Sequence, residues 1–247
     1  MRTIIVGDIH GSFDEWECLM ETVHFDSEDD RLILIGDLMD RGKDSYKVFC
    51  KAVSLQEKMQ DRFVLIKGSH EKFLLEENLS LPYRMLWNFI GKREAVRSFK
   101  QHGQRMDECI PWFKEHCVPY FEAEFFQCVH AGVTKETLSE NDDYTLFMDH
   151  KCTRKNQYTS KLTITGHVRF KEPMRFDGSE KNGVSLPYNQ PMFLPQSGFI
   201  CIDTGCAEGN KLTAMVIEGD EYYLACATST RSKGKYIEAI KKRRICK

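Results

Sequence analysis

"FVLIKGSHE", residues 63–71, runs four apolar residues straight into a glycine, a serine, a histidine and a glutamate. An apolar run of that length, β-branched and aromatic in flavour, predicts a buried strand. The polar residues at its end make either an ordinary turn with a helix cap or a place where chemistry sits. The other strands of the chain decide which. "TIIV" (3–6) leads into "GDIHGS", and "LILI" (32–35) leads into "GDLMDRGKDS". A helical stretch follows each strand. In "FDEWECLMETV" the apolar residues Phe13, Trp16, Leu19, Met20 and Val23 fall on one helical face. Residues 46–59 and "KFLLEENL" supply the other two helices. Ser12 and Glu15 have capping-box spacing and predict a helix start just after Gly11. Strand–helix units in this succession predict a parallel sheet in the N-terminal half and an α/β fold.

Residues 80–123 lack strand alternation, and "LPYRMLWNFIGKREAVRSF" has helical periodicity, with a second helix expected over 104–117. This stretch is expected to be a helical cap inserted into the fold. From residue 125 the chain becomes β-rich, in "FFQCVH", "LTITGH", "FICIDTG", "LTAMVI" and "YYLAC". Residues 169–198 hold four of the seven prolines and predict a long loop. The organisation expected is one catalytic domain over 1–230, with the insertion at about 80–123, and a basic tail over 231–247.

At 247 residues the chain can bury a core large enough for a pocket, and a net charge of −2 gives no global attraction to nucleic acid or anionic membrane. Ten cysteines are scattered, and the closest pair, Cys201 and Cys206, forms no CxxC motif. No secretory apolar region precedes the first strand, and no run is long enough to span a membrane. These features predict a cytoplasmic, reduced protein with free thiols.

The strand ends form a set. Asp8 and His10 follow the first strand, Asp37 and Asp40 the second, Ser69 and His70 the third; His130 follows "FQCV" and His167 follows "LTIT". In an open α/β sheet the carboxyl ends of the strands are where ligands bind. Taken singly, each motif has a plain reading: Asp8 as a helix cap, "GDLMDRG" as a surface turn, His130 and His167 as structural histidines. Taken together, four imidazoles and three carboxylates with no balancing lysines would leave buried charge unpaired in a core. A mixed oxygen and nitrogen donor set instead suits Mn²⁺, Fe, Zn²⁺ or Ni²⁺.

"GDIHG", "GDLMDRG", "GSHE", "VHAG" and "TGH", in this order, resemble the signature of the calcineurin-like metallophosphoesterases. The Asp-Arg-Gly of the second motif is similar to the phosphoprotein phosphatase branch, which includes phage lambda protein phosphatase and bacterial serine/threonine relatives. "IDTG" at 202–205 and the following "NKLTAMVI" resemble the closing strands of those enzymes. The resemblance implies a β-sandwich of two mixed sheets flanked by helices, with two divalent ions at the strand ends, Mn²⁺ first among the candidates. Carried over by position, Asp8 and His10 would bind the first metal, Asp37 would bridge both, and His130 and His167 would bind the second. His70 would be the general acid, positioned by Asp40, and Arg41 would clamp the phosphate.

The chemistry implied is in-line attack on phosphorus by a hydroxide made from water whose pKa the two cations lower. Imidazole suits the proton donor because its pKa lies near working pH and a carboxylate can hold its tautomer. A guanidinium suits phosphate because its fork donates two parallel hydrogen bonds. The chain departs from the family pattern at three places. Ser69 stands where the family has an asparagine ligand of the second metal, and a hydroxyl is shorter and weaker. Water filling the gap, natural loss of activity and an engineered substitution are the readings open. Asp149 stands where an arginine is expected after the fourth motif, with Lys151 and Arg154 nearby, and Lys67 stands where some relatives have arginine, as a substrate contact.

The main expectation is a phosphatase of phosphomonoesters, phosphoserine, phosphothreonine or phosphotyrosine in proteins foremost. The alternatives are a hydrolase of dinucleoside tetraphosphates, a pseudo-phosphatase that binds a phosphorylated partner without turnover because of Ser69, and an RNA-end phosphatase. The last rests on the tail, where eight Lys/Arg against one Glu could meet nucleic acid phosphates; a solvated terminus is the plainer reading.

Overall fold

A computed structural model describes residues 1–151 and 160–230. Arg154 and the basic tail lie outside the described residues. Two mixed sheets pack face to face, with helices outside, as the family resemblance implies. In the first sheet β1 (Thr3–Val6), β2 (Arg31–Leu34), β3 (Phe63–Ile66) and the short β4 (Cys117–Val118) are parallel neighbours. On the other side of β1 the long hairpin of β12 (Lys211–Glu218) and β13 (Glu221–Thr228) runs antiparallel, edged by β10 (Met192–Phe193). The second sheet has the order β5 (Phe121–Glu122), β6 (Phe126–Cys128), β7 (Leu162–Thr165), β11 (Phe199–Cys201), β8 (Met174–Phe176), β9 (Val184–Ser185).

The parallel strands read as unbroken apolar runs because both of their faces are covered. Ile4, Val6, Leu32, Leu34 and Leu65 point to the helical side, where they meet Trp16 and Leu19 of α1 (Phe13–Thr22) and Val48 and Ala52 of α2 (Ser45–Met59). Ile5, Ile33 and Ile66 point the other way, into the space between the sheets, against Ile164, Ile200, Met215 and Leu224. Period-two alternation thus splits each strand between two cores.

Four local expectations change. α1 starts where predicted, but Ser12 makes no side-chain cap bond. Glu15 instead reaches the far end of the described chain, accepting hydrogen bonds from the Thr230 backbone N–H (2.7 Å) and hydroxyl (2.8 Å). α3 (Ser69–Leu75) takes in only the first half of the predicted "KFLLEENL" helix. The next helix, α4 (Leu81–Trp87), carries Pro82 in its first turn, where a missing N–H costs nothing, and the chain before it turns away. The helices continue as a turn at Asn88–Lys92, α5 (Arg93–Gln101) and α6 (Ile110–His116), and β4 and β5 follow at once, so the inserted helices end at His116, before residue 123. The proline-rich stretch 169–198 contains β8, β9 and β10, whose two- or three-residue pairings satisfy backbone groups but are too short to show alternation. Among the described residues no helix is long and apolar enough to cross a membrane, and the cysteines are free thiols.

Candidate active site

The loops after β1, β2, β3, β6 and β7 converge at one end of the sandwich, and their backbones are unusual. His10, Asp37, Asp40, Arg41 and His167 all have positive φ, between 46° and 70°. Non-glycine residues rarely adopt that conformation, and it persists only where the surroundings enforce it. Close loop packing enforces it here. A Cβ on Gly42 would lie 2.1 Å from the His10 carbonyl oxygen, so the first two loops can touch only through glycine. Gly68, a glycine just before a helix, does not mark a sharp turn. Its backbone is extended (φ −92°, ψ −177°), and glycine serves closeness instead: a Cβ there would meet the Asp37 nitrogen at 2.4 Å.

Glu71 completes the answer to why a buried strand ends in "KGSHE". Its carboxylate accepts backbone N–H groups from Asp37 (2.7 Å), Leu38 (3.0 Å) and Gly68 (3.0 Å). It therefore ties the second and third loops together. Burial, and after it the charge of Asp37, raises its pKa to about 7.

Asp37 is the hub. Its carboxylate accepts from the His70 backbone N–H (2.8 Å) and from the Ser69 hydroxyl (3.0 Å to Oδ2). Its Oδ2 lies 3.5 Å from His10 Nε2 and 3.5 Å from His130 Nε2. Burial alone would raise its pKa, but the surrounding imidazoles, His130 foremost, hold it well below the usual carboxylate range. His10 donates Nδ1–H to the Met39 carbonyl (2.9 Å) and His130 donates Nδ1–H to the Ile35 carbonyl (2.8 Å). Those bonds fix the orientation of both rings and turn each Nε2 towards Asp37.

Two donor groups share this carboxylate. His10, Asp37 and His70 form one, and Asp37, His130 and His167 the other, with the ligand atoms of each within 4.8 Å of one another. His130 Nε2 and His167 Nδ1 are 3.2 Å apart. Neighbouring nitrogens bound to one cation at about 2.1 Å stand about 3 Å apart, so the spacing fits a shared divalent ion. The electrostatics fit as well. Against the cost of burial, Asp37 raises the His130 pKa to about 10, while burial and then the charge of His130 lower that of His167 to about 3. Asp8 sits behind these groups rather than within them. Its two carboxylate oxygens face the His167 backbone N–H at 3.3 and 3.2 Å, and burial followed by the neighbouring Asp203 pushes its pKa well up. Two buried carboxylates side by side call for positive charge.

The Ser69 hydroxyl donates to Asp37, so it supports the hub rather than standing free as an oxygen donor. His70 Nδ1–H donates to Asp40 Oδ2 (2.5 Å), and Arg41 Nη2 lies 3.4 Å from the ring's outer nitrogen, Nε2. Burial works against a proton on His70, but Asp37 and Asp40 outweigh it and raise the pKa. Lys67 turns to an aromatic neighbour, its ammonium 4.5 Å from the centre of the Phe147 ring. Asp149 accepts from the Lys151 backbone N–H (2.7 Å).

Several residues were not anticipated. Asp203 is 3 % exposed and accepts from the Gly205 N–H (2.9 Å). Arg169 and Arg41 both ion-pair with the same oxygen of Glu208. Burial and then Arg41 lower the Arg169 pKa, while Asp203, Asp8 and Asp37 pull the other way. His150 stacks on His167, with 4.2 Å between ring centres. "IDTG" and the arginine two residues after His167 were visible signals for the first two; Glu208 and His150 lie in no motif.

The comparisons with known proteins give the family. Residues 1–182 match the calcineurin-like phosphoesterase family. A symmetrical bis(5'-nucleosyl)-tetraphosphatase from Pseudomonas fluorescens (strain SBW25) is 23% identical, over 92% of this chain and 95% of that protein. Among solved structures, a metallophosphoesterase from Sphaerobacter thermophilus superposes with TM-score 0.63 at 14% identity, covering 94% of this chain and 91% of that one. A protein serine/threonine phosphatase from Saccharomyces cerevisiae gives TM-score 0.60 at 14% identity, covering 93% and 80%. The chain belongs to the calcineurin-like phosphoesterase family and is a metal-dependent phosphoric-ester hydrolase.

Proposed function

We propose that this protein hydrolyses dinucleoside tetraphosphates, and that two divalent cations would be held here, one by Asp8, His10 and Asp37 and the other by Asp37, His130 and His167. The observation that supports the substrate class is the tetraphosphatase named above, matched over 95% of its length. The phosphoprotein reading has weaker support. The yeast phosphatase shares the fold at 14% identity, which says nothing about substrate.

When bound, two such cations neutralise phosphoryl charge and make water a nucleophile near neutral pH. The rest falls to the chain's own residues. His10 and His130 are held rigidly by backbone carbonyls, so the hub is preorganised. Arg41 presents its guanidinium beside His70, where it can hold a phosphate oxygen while the imidazole faces the leaving group. His70 carries its proton at Nε2, keeps Nδ1–H on Asp40, and delivers the proton to the departing oxygen. Symmetrical cleavage of diadenosine tetraphosphate consumes one water and yields two ADP. Mn²⁺ is the first metal to try, because mixed nitrogen and oxygen donors suit it along with Fe, Zn²⁺ and Ni²⁺.

The test is a panel of diadenosine tetraphosphate, serine and tyrosine phosphopeptides, p-nitrophenyl phosphate and 3′-phosphorylated RNA, each with and without Mn²⁺. The expected result is ADP as the sole nucleotide product from the tetraphosphate, with the highest kcat/KM of the panel. A higher kcat/KM on a phosphopeptide would return the assignment to the phosphoprotein branch.

A further inference from the structure

Trp87, the last residue of α4, reaches from the inserted helices into the acid pair. Its indole Nε1–H donates to Asp40 Oδ2 at 2.5 Å, the same oxygen that receives Nδ1–H of His70. Asp40 is 1 % exposed, its other carboxylate oxygen has no hydrogen-bond partner among the described residues, and its backbone sits at φ 70°. The orientation of this carboxylate therefore depends on two donors that meet at one oxygen. A second contact comes from the same turn. The Arg41 N–H donates to the Gly91 carbonyl (3.2 Å), and Gly91, at φ 137°, lies so close that a Cβ would stand 2.4 Å from the Arg41 nitrogen. Lys92 covers the indole, with Nζ 3.9 Å from the ring centre, and limits its tilt. The end of α4 and the turn after it thus grip two successive residues of the second motif, Asp40 by a side chain and Arg41 by the backbone.

We propose that Trp87 is a positioning residue for the His70–Asp40 pair, and that the turn Asn88–Lys92 makes the inserted helices part of the catalytic machinery. The proposal rests on His70 acting as the acid in the reading above. The indole bond holds the Asp40 carboxylate at the angle that aims His70, and it draws charge from the oxygen on which the imidazole depends. Without it, Asp40 can rotate towards its unsatisfied oxygen and His70 loses its aim. The indole bonds none of His10, Asp37, His130 or His167, so metal content should stay as in the parent.

The decisive variant is Trp87→Phe, which keeps an aromatic ring and removes the N–H. With Mn²⁺, kcat for phenyl phosphate should fall by about tenfold, the loss of one positioned bond, while p-nitrophenyl phosphate, whose leaving group scarcely needs a proton, should change by less than about twofold. KM for both should stay, and Trp87→His, which restores a ring N–H, should recover part of the loss. Equal losses on the two esters would overturn the proposal and leave Trp87 a packing residue. A readout independent of turnover separates this from failure of the functional reading. The chain has three tryptophans, and the indole nitrogens of Trp16 and Trp112 are buried without partners. In a ¹H–¹⁵N spectrum the Trp87 indole signal, identified by its loss in Trp87→Phe, should be the furthest downfield and should shift upfield in Asp40→Asn. An indole signal that ignores Asp40→Asn would overturn the proposal even if the protein hydrolysed neither ester.

Discussion

The two flanks of Asp37 differ in what surrounds them. On one, His10 and His70 face each other edge-on at 4.7 Å between ring centres, and behind His70 stand Asp40, Arg41 and the inserted helices. On the other, His130 and His167 meet at 3.2 Å with His150 stacked outside, and the neighbouring Ser69 spends its hydroxyl on Asp37. One flank sets an imidazole between a carboxylate and a guanidinium; the other gathers imidazoles, and the serine beside it turns its hydroxyl to Asp37. The difference teaches that the shared carboxylate, not symmetry, defines the site, and that the flanks can be broken separately.

The largest effect should come from the hub. Asp37→Ala removes the contact common to both flanks and should lower kcat by at least about 10³-fold, since several kcal/mol of charge stabilisation leave with the cations. Elemental analysis of the purified variant should show metal lost from both flanks; metal retained in full would refute the shared hub.

His70→Asn breaks only the first flank. Its kcat should fall roughly 10²- to 10⁴-fold on esters with poor leaving groups, and much less on p-nitrophenyl phosphate. Metal content should match the parent within error. A uniform loss across leaving groups would show that His70 does not act as the acid, and a loss of metal would place it among the ligands, where its distance to Asp37 and His10 also allows it.

A smaller change should follow Ser69→Asn. The side chain sits at the start of α3 beside Asp37, and an amide carbonyl there could reach the imidazole flank. A gain of about tenfold in kcat/KM at limiting Mn²⁺ is expected, equivalent to about 1.4 kcal/mol. Flat or lower activity with an unchanged melting temperature would mean that the pocket is fitted to serine. Least of all should follow Lys67→Ala. Its ammonium rests on the buried Phe147, and a cation–π contact is worth about 0.5–2 kcal/mol of stability. KM for the preferred substrate should move by less than about twofold; a larger rise would give Lys67 the substrate contact that the sequence suggested.

Much of the site is legible in the amino-acid sequence. The hub and its imidazoles follow apolar strands whose runs are unmistakable, and the parallel order β1–β2–β3 follows from the alternation of strand and helix. The features that stay hidden depend on distance along the chain. Glu15 has the spacing of a local cap and instead binds Thr230, because a carboxylate goes to the unsatisfied N–H that packing brings to it. Trp87 reads as one more apolar residue on a periodic helix, since periodicity reports burial and not which polar edge finds a partner. Arg169 and Glu208 meet across the molecule, and no spacing rule pairs them. Gly68 is a subtler case: a glycine before a helix suggests a turn, whereas here it keeps two loops in contact.

The most direct test is a calorimetric titration of the chelator-stripped protein with Mn²⁺. Two sites of unequal affinity are predicted, the weaker being the one that Ser69→Asn tightens, with both lost in Asp37→Ala. A single site, or two equal sites that survive Asp37→Ala, would contradict the account.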